Sequence, residues 1–142
     1  IISNSFYQTD LTQAIQDVAL QAGVNIIVAA QPLFVTDAVF ENQLLKEFNP
    51  DIFYIHTCNR NILNFPEISS SVKEVDSMLL NEFGRYKKMW ESLREMYNCS
   101  IIQNNFEMPS YRFLGNLDSV DYRGRLNFIL RLILAKKLSC LF

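Results

Sequence analysis

Short apolar runs alternate along the chain with stretches in which apolar residues recur at three- and four-residue steps. "IISNS" (Ile1 to Ser5) reads as the end of a buried strand running into a polar turn. In "TDLTQAIQDVALQAG", Leu11, Ala14, Ile15, Val18 and Ala22 share one helical face. Thr9 or Asp10 can cap its start, and Gly23 suits a left-handed exit. "VNIIVAA" (Val24 to Ala30) is continuous and β-branched, as expected of a strand buried on both faces. A second helical pattern passes through Val39, Phe40, Leu44, Leu45 and Phe48 and stops at Asn49-Pro50. "DIFYIHT" (Asp51 to Thr57) is the next buried strand.

A loop with Pro66 precedes the longest predicted helix, Ser70 to Tyr97. Val72, Val75, Leu79, Phe83, Tyr86, Trp90, Leu93 and Tyr97 form its stripe, the mark of a core-facing helix. "CSIIQNN" (Cys99 to Asn105) is a short strand ending in amides, and a last amphipathic helix spans about Tyr122 to Leu138. Strands alternating with helices at these lengths predict an α/β fold: three layers, α/β/α, around a mostly parallel sheet of flavodoxin-like or SGNH-hydrolase-like type. Right-handed crossovers bring the C-terminal ends of parallel strands to one edge, where ligands of open α/β sheets bind. The polar exits "SNS" (3 to 5), "HTCNRN" (56 to 61) and "QNN" (103 to 105) are therefore expected on one rim.

The 142 residues suffice for one domain. With 49% apolar and 20% charged residues, the composition is globular. A net charge of −2, with no basic block, argues against a nucleic-acid partner. No apolar run is long enough to span a membrane and no signal peptide is visible, so a cytoplasmic setting is expected. Cys58, Cys99 and Cys140 have no CxxC spacing, so neither a disulfide framework nor a zinc site is indicated. The chain opens without Met and closes on "SCLF", which predicts a piece of a longer polypeptide.

At the rim, Ser5 (or Ser3) is a candidate nucleophile, with Asn59 and backbone N–H groups as an oxyanion hole. The plainer reading has Ser5 and Asn59 satisfying loop backbone groups and capping helices. His56 is the chain's one histidine. Strand alternation sets it with Tyr54, opposite Ile55 and Thr57, so it can point under a helix instead of into a cleft. Cys58, two residues on, makes a weak nucleophile–base pair with it, and no second histidine supports a metal site. Phosphate-binding glycine loops are absent, as is the Asp-x-Asp strand end of haloacid-dehalogenase (HAD) phosphatases. Asp121, beside Asp118, Arg123 and Arg125, is expected to cap the last helix and pair with an arginine, or else to join the rim.

"IHTCNRNILNFPE", "FGRYKKMWESL" and "SIIQNNFEMPSYRFLGNLDSVDYRGRLNFI" resemble the amino-terminal region of FkbH-like proteins, members of HAD superfamily subfamily IIIC. The resemblance runs from "IISNS" to about Ile129. It implies an SGNH-hydrolase-like domain over residues 1–142, followed in the parent by a HAD domain that uses an aspartate nucleophile and Mg²⁺. Family members serve acyl-carrier-linked glyceryl transfer, polysaccharide or secondary-metabolite pathways. The implied partners are the HAD domain and an acyl carrier protein. SGNH hydrolases also carry an Asp-x-x-His motif, which falls here on "DYRG", with Asp121 in the Asp position and Gly124 where His belongs. The expectation is a non-hydrolytic recognition or docking domain whose rim comprises Ser5, His56, Asn59, Asn61, Gln103, Asn104 and Asn105. Amides suit such recognition, since they donate and accept without titrating. The competing expectation is a weak esterase or acyltransferase using Ser5, Asn59 and Asp121.

Overall fold

A computed structural model describes residue 14 and residues 17–25 and 43–139. The expected strand at Ile1–Ser5, with Ser3 and Ser5, lies outside the described residues, as do residues 26–42 and Cys140. The described chain mixes helix with a two-stranded parallel sheet. Its elements are α1 (Gln43–Phe48), β1 (Ile52–Ile55), a 3₁₀ turn (Asn59–Asn61), α2 (Val72–Tyr97), β2 (Ser100–Gln103), a second 3₁₀ turn (Gly115–Ser119) and α3 (Arg125–Ser139). Among the described residues no helix is long and apolar enough to cross a membrane.

Helix ends follow the local chemistry of the sequence. Residues 17–21 are helical, and Gly23 leaves them at φ 71° while the Val24 N–H returns to the Ala19 carbonyl. That is the left-handed exit expected from its lack of a Cβ. Asn49 and Asn98 do the same work after α1 and α2, at φ 44° and 45°, and each turns the chain toward a strand. Asparagine tolerates this region better than most side chains. α2 starts two residues later than its apolar pattern predicts, because Ser71 and Glu74 form a capping box. The Ser71 hydroxyl accepts from the Glu74 N–H at 3.3 Å, and the Glu74 carboxylate accepts from the Ser71 N–H at 2.7 Å.

The chain divides into two compact units, with α2 contributing up to Met89 to one and from Trp90 to the other. The first unit comprises residues 1–57 and 90–104. β1 and β2 pair in parallel there, Ile52 opposite Ser100 through Ile55 opposite Gln103. Burial alternates along β1: Phe53, Ile55 and Thr57 are buried, whereas Tyr54 and His56 are half-buried and Ile52 is exposed. The expected fully buried strand is thus one-sided. Phe53 packs obliquely on Tyr97 at 5.2 Å between ring centroids, and Leu93 and Cys99 of the same unit are buried as well.

The second unit comprises residues 58–89 and 105–142. Phe128, Ile129 and Leu132 of α3, with Val75 and Tyr86 of α2, have no more than trace exposure. Burying each such side chain contributes about 1.5–3 kcal/mol. A charged layer lies within this unit. Arg85 donates to the buried Glu82 carboxylate and to the Asn61 carbonyl, while Lys136 Nζ sits 3.9 Å from the Phe106 ring centroid and 4.4 Å from that of Tyr86. Burial is the largest influence on Glu82 and pushes its pKa up, against the opposing pull of Arg85.

Candidate functional site at the strand exits

The parallel register sets the end of β1 beside the end of β2, so the exits at His56-Thr57 and Gln103-Asn104 are neighbours in the first unit. Thr57, not His56, is their hub. The Asn104 side chain accepts from the Thr57 N–H at 2.6 Å and donates to the Thr57 carbonyl at 2.7 Å. One amide therefore satisfies both backbone groups of the residue where the β ladder stops, which is why β1 ends before the predicted Thr57. The Thr57 hydroxyl donates to the Asn104 carbonyl at 3.1 Å and accepts from Gln103 Nε2 at 3.2 Å. Gln103 Oε1 in turn accepts from the Trp90 indole at 2.7 Å. Both amides of this exit are tied into the fold.

His56 is half-buried on the Tyr54 side of the strand, and its ring forms no hydrogen bond with the described residues. Of the three described rim residues in this unit, it is the one whose side chain forms no hydrogen bond with the described residues.

In the second unit, Asn59 and Asn61 belong to one 3₁₀ turn. Asn61 is buried, and its Oδ1 accepts from the Cys58 N–H at 2.7 Å. It holds the turn closed. Asn59 is half-buried, and its carbonyl accepts from the Ile62 N–H at 3.3 Å. Asn105 is exposed, just ahead of the buried Phe106.

Asp121 and Gly124 occupy the turn before α3. Asp121 is chelated by Arg123: Oδ1 accepts from the Arg123 backbone N–H at 2.9 Å and Nε at 3.0 Å, and Oδ2 from Nη2 at 2.9 Å. The Arg123 side chain, with its backbone N–H, lowers the Asp121 pKa to about 2. The expected arginine pair is present, but Asp121 does not cap α3. Asp118 does so from the preceding turn, where its fully buried carboxyl group accepts from the Leu126 N–H at 2.8 Å and the Leu114 N–H at 3.1 Å. Sequence reading missed this role because the 3₁₀ turn folds Asp118 back onto a helix start eight residues on.

Gly124 is buried against that same turn. A Cβ built there overlaps the Asp118 carbonyl, 2.6 Å from its carbon and 2.8 Å from the Asp118 Cα. Real Cβ atoms do not approach backbone so closely, so no side chain fits at 124. Among the described residues, no group of three or more His, Cys, Asp or Glu side chains is arranged to hold a metal ion. Compared with protein-family models, with curated proteins and with solved structures, the chain matches none.

Proposed function

We propose that this chain is a non-hydrolytic recognition or docking domain of the kind found at the amino terminus of FkbH-like proteins. On this reading the two parallel strands belong to a larger, mostly parallel sheet in a three-layer α/β/α domain. The rim serves a HAD domain of the same protein or an acyl carrier protein with its tethered acyl group. The observation that carries the reading is Gly124. An SGNH-type hydrolase needs a histidine three residues beyond its aspartate, and at 124 the Asp118 main chain already fills the space of a Cβ. Loss of that base costs a serine hydrolase several orders of magnitude in rate. Asp121 also supports it, since its carboxylate is occupied by Arg123 and is not presented to a base.

Mg²⁺ chemistry belongs to the HAD domain on this reading, because the sequence has no Asp-x-Asp strand end to bind the ion. The test is hydrolysis of p-nitrophenyl acetate, paired with titration of an acyl carrier protein bearing its phosphopantetheine arm. The expected result is no ester turnover above buffer, together with carrier binding that weakens when His56 or Asn59 is replaced by Ala. Ester turnover abolished by Ser5→Ala would overturn the reading in favour of an esterase. Carrier binding indifferent to both rim substitutions would leave these side chains as structural groups only.

A further inference from the structure

An open groove of about 720 Å³ lies in the second unit, between residues 63–69, Phe113 and the first residue of α3, Arg125. Its size is within the range of small-molecule sites. One wall is anchored: Pro66 is buried, and Phe65 packs edge-on against the fully buried Phe128, with ring centroids 5.9 Å apart. The other apolar groups, Leu63, Ile68 and Phe113, are exposed at 61%, 59% and 38%. Large apolar side chains grouped around a concavity at such exposure are costly unless something covers them.

Arg125 supplies the polar element. Its guanidinium carbon lies 5.0 Å from the Phe65 ring centroid and 5.8 Å from that of Phe113, within cation–π range of both. Nε is buried, and no N–H of the group donates to an acceptor among the described residues. By contrast, Arg85, Arg123 and Arg131 of this unit each hold a carboxylate. Arg125 is thus a charged fork held in place by two aromatic rings, with its donors unspent.

We infer that this groove binds a small monoanionic carboxylate with an apolar body, its carboxylate paired with Arg125 and its body against Leu63, Phe65, Ile68 and Phe113. The planar guanidinium matches a carboxylate in a bidentate geometry. Glu67 lines the same groove, and its negative charge disfavours a dianionic phosphate more than a monoanionic carboxylate. Holding the guanidinium against two rings before binding reduces the entropy lost when the ligand arrives. The inference is independent of the docking role proposed for the rim.

The probe is octanoate, titrated into the chain by calorimetry and by NMR of the Arg125 side-chain Nε–H signal. Saturable binding and a shifted Nε–H signal are expected, with neutral octanamide and dianionic octyl phosphate at least tenfold weaker. Arg125→Gln is expected to weaken octanoate at least tenfold and leave octanamide unchanged. Phe113→Ala, at a partly exposed position, should weaken both. Octanoate held no more tightly than octanamide, or an unmoved Arg125 signal in the unsubstituted chain, overturns the proposal. Because those two readings need no substitution, they stand even where Arg125→Gln fails to fold.

Discussion

Gly124 is packed so closely on Asp118 that a Cβ at 124 would lie 2.6 Å from the Asp118 carbonyl carbon. The contact is part of how α3 begins. The Gly124 carbonyl accepts from the Phe128 N–H at 2.9 Å, and the Asp118 carboxyl group accepts from the Leu126 N–H. Gly124→Ala forces a Cβ into the Asp118 backbone, for which overpacking costs of about 1–3 kcal/mol apply. Urea unfolding followed by circular dichroism should show that loss. A stability within experimental error of the parent chain would mean that position 124 has room for a side chain, reopening the question of a histidine there. Asp118→Ala, which leaves two part-buried N–H groups without their acceptor, should cost about 1–3 kcal/mol.

The clamp between Asn104 and Thr57 makes a second prediction. Asn104 uses an acceptor and a donor at once, so Asn104→Asp keeps the first and loses the second. The Thr57 carbonyl then faces a carboxylate oxygen instead of an N–H. Asn104→Ala removes both bonds and should cost about 1–3 kcal/mol. Asn104→Asp should be no milder at neutral pH. Amide hydrogen exchange at Thr57 is the sharpest readout, since its N–H is covered by this one side chain. Unchanged protection in Asn104→Ala would show that something else covers it.

The sequence made the helices and the two described strands legible because their signals are local. The stripe from Val75 to Tyr97 needs only helical periodicity, and Gly23 and Asn49 need only their own backbone preferences. The site was less legible. Asn61, Gln103 and Asn104 look in sequence like polar rim groups, yet their side chains close a turn or secure the ladder. Which backbone group an amide will satisfy depends on partners up to 47 residues away, a distance at which no local pattern speaks. The Asp118 cap and the Arg125 groove were missed for the same reason. Both arise from a 3₁₀ turn or a loop folding back on α3.

Gly84 offers a test in the stabilising direction. It lies inside α2 on an exposed face, and a Cβ there meets nothing within 4 Å. Nothing in its surroundings requires glycine, while a helix interior favours alanine by about 0.8–1 kcal/mol. Gly84→Ala should therefore raise the urea midpoint without changing the slope of the transition. A lowered midpoint would reveal a contact that demands the missing side chain.

Asp121 and Glu82 are shifted in opposite directions, so acid should act on them with opposite signs. Asp121 is lowered to about 2, chiefly by its hydrogen bonds to Arg123. Its contribution to stability is present above the ordinary aspartate range, near 3.8, and is lost as pH falls toward about 2. Carboxyl NMR should find it in that low range, and Arg123→Ala should return it toward 3.8. A value already ordinary in the parent chain would mean that the three-bond chelate does not persist in solution.

Glu82 is raised because burial of its carboxylate outweighs the attraction of Arg85. A folded pKa above the unfolded one means that the folded state holds its proton more tightly. The contribution is thus fully present below the ordinary glutamate range and declines as pH rises through the folded value. Glu82→Gln removes the titration and keeps an acceptor for Arg85. Relative to that variant, the parent chain should lose stability as pH rises from 4 toward 7, and the difference should level off once Glu82 is ionised. Urea midpoints of both proteins across this range measure it. A parent chain that instead gains on Glu82→Gln with rising pH would show that the Arg85 pair outweighs the cost of burial, reversing the balance that sets this layer of the core.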